Sequence, residues 1–153
     1  MAEAQSLTDR LLWYLQRYPA SEARARRYLA QYCQRSERDP AGIDDAIRSA
    51  KAFGLIDDAA LSRAIVRSGE GRGDSQAKLR MRLQRRGLAP AVGGDGYDEE
   101  EAFDRFVQRR RLEPALRAAS DRTSRDKVLA KCLRAGFPSH LVLRWAARID
   151  AER

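Results

Sequence analysis

Apolar residues recur along this chain at every third or fourth position, the spacing that lines one face of a helix. Leu7, Leu11, Tyr14, Leu15 and Tyr18 form such a stripe over residues 7–18, and Pro19 stops it. Ser21 offers a capping hydroxyl to a second helix whose face is Ala25, Tyr28, Leu29, Tyr32 and Cys33. The polar run 34–39 reads as a connector. Asp39-Pro40 then supplies a cap and a first helical residue, because proline lacks only a donor that a helix start leaves unpaired. Ile43, Ala46, Ile47 and Ala50 follow at helical spacing, and Phe53-Gly54 closes the segment.

Past Gly54, Leu55-Ile56 precede Asp57-Asp58, an apolar step into an acidic helix start. Leu61, Ala64 and Ile65 carry that helix, which is predicted to end in a flexible basic turn over residues 69–73. Another opens at Asp74 or Ser75, turns Leu79 and Leu83 inward and stops at Gly87. Residues 89–96, with three glycines, read as a loop. Tyr97 and the acidic run 98–101 begin the next helix, with Ala102, Phe103, Phe106, Val107 and Arg110 on its face. Its basic end, Arg109-Arg110-Arg111, completes the match to the macrodipole. Residues 113–121 read as a connector with at most a turn of helix. Thr123-x-x-Asp126 is a variant capping box for a helix burying Val128, Leu129 and Cys132 and ending at Gly136. The last helix follows Pro138-Ser139, with Val142, Trp145, Ala146 and Ile149 inward.

Overlaying the segments exposes a repeat. SQAKLRMRLQRRGLAP from Ser75 matches SRDKVLAKCLRAGFP from Ser124 in register, 49 residues on. Lys78 pairs with Lys127, Arg82 with Lys131 and Gly87 with Gly136. A fainter copy begins at Ser21, with Cys33 where the glycine is expected. Each copy is a capped helix closed by a glycine able to turn left-handed, then an apolar anchor. The expected fold is therefore all-α and elongated: a three-helix motif repeated in tandem three times, with eight or nine helices. The boundaries fall at residues 1–55, 56–97 and 98–153, the middle copy having a short or lost third helix.

Composition narrows the chemistry. Of 153 residues 43% are apolar and 34% charged, enough to bury a core. The net charge is +8, and arginine far outnumbers the four lysines, Lys51, Lys78, Lys127 and Lys131. A basic surface points to an anionic partner, and guanidinium suits phosphate and carboxylate; codon bias is the plainer source of the same surplus. Cys33 and Cys132 lack the spacing of a disulfide framework or a metal site, so buried, reduced thiols are expected. The N-terminal residues lack a signal-peptide pattern, and no apolar run spans a bilayer, so a soluble cytoplasmic protein without membrane contact is expected.

Catalytic signals are weak, and an enzyme is not expected. His140 is the lone histidine and sits beside a helix cap. Asp57-Asp58 is better explained by capping than as an acid–base pair. Gly69-x-Gly71-x-Gly73 lacks the Lys-Ser/Thr of a phosphate loop and follows a helix. No cofactor or metal is implied. The basic constellation says more: residues 63–86 carry Arg63, Arg67, Arg72, Lys78, Arg80, Arg82, Arg85 and Arg86 against Glu70 and Asp74. Lys78, Arg82, Arg85 and Arg86 fall on one helical face, and Lys127, Lys131 and Arg134 are placed comparably in the last copy. These are the candidate contacts to a partner or nucleic acid, a track for phosphates or an acidic protein surface. The alternatives are a solvated helix face and a helix-turn-helix-like module acting on DNA directly.

Three stretches resemble the RecX family of bacterial recombination regulators. They are Phe53-Gly-Leu-Ile-Asp-Asp58 with Leu61, Ala64, Val66 and Arg67; Gly71-Arg-Gly73 with Leu79, Leu83 and Arg86-Gly-Leu88; and Lys127, Leu133 and Gly136-Phe137. The resemblance runs from Leu7 to Trp145. It departs from the family at Cys33 and at the short stretch 89–96. It implies tandem three-helix repeats and binding to RecA, alone or on single-stranded DNA, with inhibition of ATP hydrolysis, strand exchange and co-protease activity. A monomer that also binds single- and double-stranded DNA without sequence preference is expected.

Overall fold

A computed structural model describes residues 6–92 and 96–152; the part of the expected 89–96 loop at residues 93–95 lies outside them. The described residues hold nine α-helices and no strand, as the all-α expectation requires. They are α1 (Leu7–Arg17), α2 (Glu22–Arg35), α3 (Ile43–Ala52), α4 (Asp58–Arg72), α5 (Gln76–Arg85), α6 (Glu99–Arg109), α7 (Leu112–Ala118), α8 (Arg122–Arg134) and α9 (Ser139–Ala151). A 3₁₀ turn, Pro40–Gly42, leads into α3, with the Asp39 side chain accepting from the Ala41 amide at 2.9 Å.

The chain divides into two compact units, Met1–Ala64 with Leu83–Ala89 and Ile65–Arg82 with Pro90–Arg153, so α4 and α5 each contribute to both. In the first unit α1, α2 and α3 bury Leu11, Leu15, Ala25, Leu29, Ala46, Ile47 and Ala50, with Ile56 closing the core. Three alanines in that set let the helices approach closely. Each fully buried leucine or isoleucine contributes about 1.5–3 kcal/mol. In the second unit Phe103 takes Phe137 and Trp145 edge-on, at 5.0 and 5.7 Å between ring centres. Leu112, Leu116, Val128, Cys132, Val142 and Ile149 complete that core.

The same joint is built once in each unit. Ser21 caps α2 by accepting from the Arg24 amide at 3.2 Å, and its hydroxyl donates to the carbonyl of Arg86, beside Gly87. Ser75 caps α5 by accepting from the Lys78 amide at 3.2 Å, and donates to the carbonyl of Ala135 at 2.6 Å, beside Gly136. A carboxylate takes the first amide of each capped helix: Asp58 accepts from Glu22 at 3.0 Å, Glu99 from Gln76 at 2.9 Å. Contact this close requires glycine. A Cβ on Gly87 would stand 2.9 Å from the Ala23 Cβ, and one on Gly136 would stand 2.7 Å from the Ser75 hydroxyl. Both residues also have positive φ.

Four expectations are corrected. Residues 69–72 are the last turn of α4 rather than a flexible loop, because the Leu79 side chain packs onto Gly69, where a Cβ would obstruct it. Cys33 does not replace the closing glycine. The Arg38 amide donates to Cys33 O as Leu88 does to Leu83 O, so the left-handed residue is Glu37 (φ +51°) and α2 is one turn longer. Most of the expected connector 113–121 is taken up by α7, which begins at Leu112 and buries Leu112 and Leu116 on one face. The cap of α8 is Asp121, accepting from the Ser124 amide at 2.7 Å, in place of a Thr123 box.

Candidate partner-binding groove

Three of the expected contact residues are organised by a buried carboxylate. Asp74 follows the end of α4, where its amide donates to Gly69 O at 2.9 Å. Its side chain, 5% exposed, receives Lys78 Nζ at 2.6 Å, Arg82 at 2.9 Å and Arg72 at 3.3 Å. Burial alone would raise its pKa; the hydrogen bond and charge of Lys78, with Arg72, outweigh it and hold the carboxyl below its usual range. Tyr97 donates its hydroxyl to the Asp74 carbonyl, and burial pushes that phenol up to about 12. The clamp fixes the near end of the α5 side chains and leaves the group with two net positive charges.

Beside it, within the second unit, lies a groove of about 680 Å³. Ala77, Lys78 and Met81 of α5 line one side, Phe106 and Arg110 with Leu112 another, and Lys131 and Arg134 with Ala135-Gly136 the third, the cations forming the rim walls. The Ser75–Ala135 bond explains this convergence, because it draws the start of α5 onto the end of α8. Cations at the end of α8 also face its carbonyls, the negative pole of the helix dipole. Between these cations the lining is apolar, and it is this apolar part that forms the floor: Leu112 is buried, Phe106 is half-buried with its ring centre 5.1 Å from that of Phe137, and Met81 is 53% exposed. Among the described residues no carboxylate lines the groove.

Of the ten sequence-derived contacts, Lys78, Lys131 and Arg134 meet here. Arg72 and Arg82, like Lys78, are paired with Asp74, but neither lines the groove. Arg67 on α4 and Lys127 on α8 are exposed outside the groove, while Arg63, Arg85 and Arg86 belong to the first unit. Arg86 lies beyond the end of α5, so it leaves the face it was expected to share. Arg110, Phe106, Leu112 and Met81 were not singled out as contacts. Met81 carried a signal: it is an apolar residue off the Leu79–Leu83 stripe in an arginine-rich helix.

The remaining candidate chemistry is structural. Asp57 accepts from the Ala60 amide at 2.9 Å, and Asp58 caps α2, so both carboxylates serve helix starts. Both cysteines are buried and unpaired, and burial pushes the Cys132 thiol up to about 11. Among the described residues no group of three or more His, Cys, Asp or Glu is placed to hold a metal ion. None of the described helices is long and apolar enough to cross a membrane.

Fold and groove together define an all-helical protein with a cationic, apolar-floored cleft. Over 156 residues the chain is 27% identical to Regulatory protein RecX of Halorhodospira halophila (strain DSM 244 / SL1), an alignment covering 99% of this chain and 96% of that protein. This similarity along nearly the whole length supports assignment of the chain to the RecX family. No family model and no solved structure matches it.

Proposed function

We propose that the chain is a non-enzymatic, cytoplasmic, monomeric regulator that binds a RecA filament and inhibits its ATPase, strand-exchange and co-protease activities. The observation that carries this reading is the end-to-end similarity to a protein named as a RecX regulator. The groove adds a surface of suitable sign, with Lys78, Arg110, Lys131 and Arg134 around it. Arg63, Arg67, Arg72, Arg82, Arg85, Arg86 and Lys127 complete the proposed contacts to filament protein or to DNA, which the chain binds without sequence preference.

The test is DNA-dependent ATP hydrolysis by RecA. Substoichiometric protein suppresses it, and the double variant Lys131→Glu, Arg134→Glu needs about tenfold more protein for the same effect, the loss expected from about 1.4 kcal/mol of lost interaction. Absence of suppression at equimolar protein overturns the reading. Tight, sequence-selective duplex binding without RecA would instead favour the direct DNA-binding module.

A further inference from the structure

We propose that the groove of the second unit takes an acidic segment of a partner protein carrying a bulky apolar side chain, the carboxylates meeting the rim and the apolar group the floor. This deepens the preceding reading by giving the partner's chemistry at the same groove, yet its test needs no recombinase.

The sign of the occupant follows from the rim. Arg110, Lys131 and Arg134 are exposed, make no ion pair among the described residues, and share the groove with Lys78. With no carboxylate among the described residues lining it, three unpaired cations and the Asp74-bound Lys78 face one cleft, and an anion brought there meets attraction from three walls.

The class of anion follows from the floor. A phosphate backbone would use the rim and gain nothing from Met81, Ala77, Leu112 and Ala135. Bases of a single strand need flat aromatic platforms. Phe106, the single aromatic residue of the lining, has its ring packed on Phe137. Met81 is different: its flexible thioether accommodates side chains of varied shape, and docking surfaces favour methionine for that reason. It is 53% exposed while Leu79 and Leu83 of the same helix are fully buried, so the fold makes little use of it. A volume of about 680 Å³ falls in the range of sites that enclose a compact ligand, room for an apolar side chain with its neighbours.

The sequence supplies its own reporter, because Met81 and Met1 are its two methionines. The full chain, labelled with carbon-13 at the methionine methyls, is titrated with three probes. One is a short peptide of aspartate and glutamate around a central phenylalanine. The second is the same peptide with glycine for phenylalanine, and the third an oligothymidylate of equal charge. The expected result is a saturable shift of the Met81 methyl with the phenylalanine peptide, at least about tenfold tighter than with the glycine peptide. Oligothymidylate leaves that signal in place. Lys131→Glu with Arg134→Glu abolishes the shift while the chain still unfolds in one cooperative transition, its midpoint lowered only by the reversed charge at the end of α8, since both side chains are exposed and outside the ion pairs. A silent Met81 methyl, equal binding of the two peptides, or an equal response to oligothymidylate overturns the proposal. If RecA hydrolysis is suppressed but Met81 is silent, this inference fails alone; if Met81 responds without suppression, the filament reading fails alone.

Discussion

Ser75 and Gly136 divide one task between a hydroxyl and the absence of a side chain. The hydroxyl accepts inside its own helix and donates to the end of α8, and the glycine lets the two backbones close to that distance. Ser75→Ala is expected to cost about 1–2 kcal/mol, a lost cap together with an unsatisfied carbonyl. Gly136→Ala costs about 1–3 kcal/mol from its left-handed backbone and also displaces the serine. Urea unfolding of both variants measures this. Asp74 ties stability to pH in a definite direction. Its folded pKa lies below the unfolded value, so its contribution is complete above about pH 4 and disappears as pH falls through the lower, folded value. Acid titration of stability will therefore be flatter in Asp74→Asn than in the parent, and an identical profile would contradict the clamp.

At the scale of elements, whatever rested on periodicity and caps was legible. The stripes of α2, α3 and α9 lie where their apolar spacing places them, and those of α1 and α6 do so up to their last members, Tyr18 and Arg110, which lie past the helix ends and are exposed; Ser21 and Ser75 cap the helices they precede. What escaped had competing local signals. Pro114 resembles a helix breaker, but it stands in the first turn of α7, where its missing donor is harmless. Residues 120–124 offer several capping side chains, and only tertiary packing selects Asp121. Glycines at 69 and 71 resemble a loop, yet Gly69 is a helix contact made by Leu79. Gly69→Ala should lower the thermal midpoint, at about 1–3 kcal/mol of overpacking, even though alanine favours helix. Adding Leu79→Ala should make the two changes less than additive, which a double-mutant cycle will show.

Across the whole molecule, the surplus of positive charge was legible and its distribution was not. Counting residues 63–86 treats eight cations as equivalent, whereas folding sends three of them to one carboxylate and strands Arg86 past a helix end. Lys78, Lys131 and Arg134 reached the groove because the serine joint brings their helices together, a tertiary fact that no spacing of charges encodes. The apolar floor was hidden for the same reason: Phe106 and Leu112 read as core until α5 and α8 are placed around them.

Asp74 has one more consequence. Binding to a polyanion draws much of its strength from small ions set free, in proportion to the phosphates a protein neutralises. Guanidinium and ammonium groups already committed to an internal carboxylate release fewer. For the DNA binding proposed above, the decline of affinity with added salt is therefore expected to be shallower than the basic stretch suggests, and Asp74→Asn to steepen it, which binding titrations at several salt concentrations will measure.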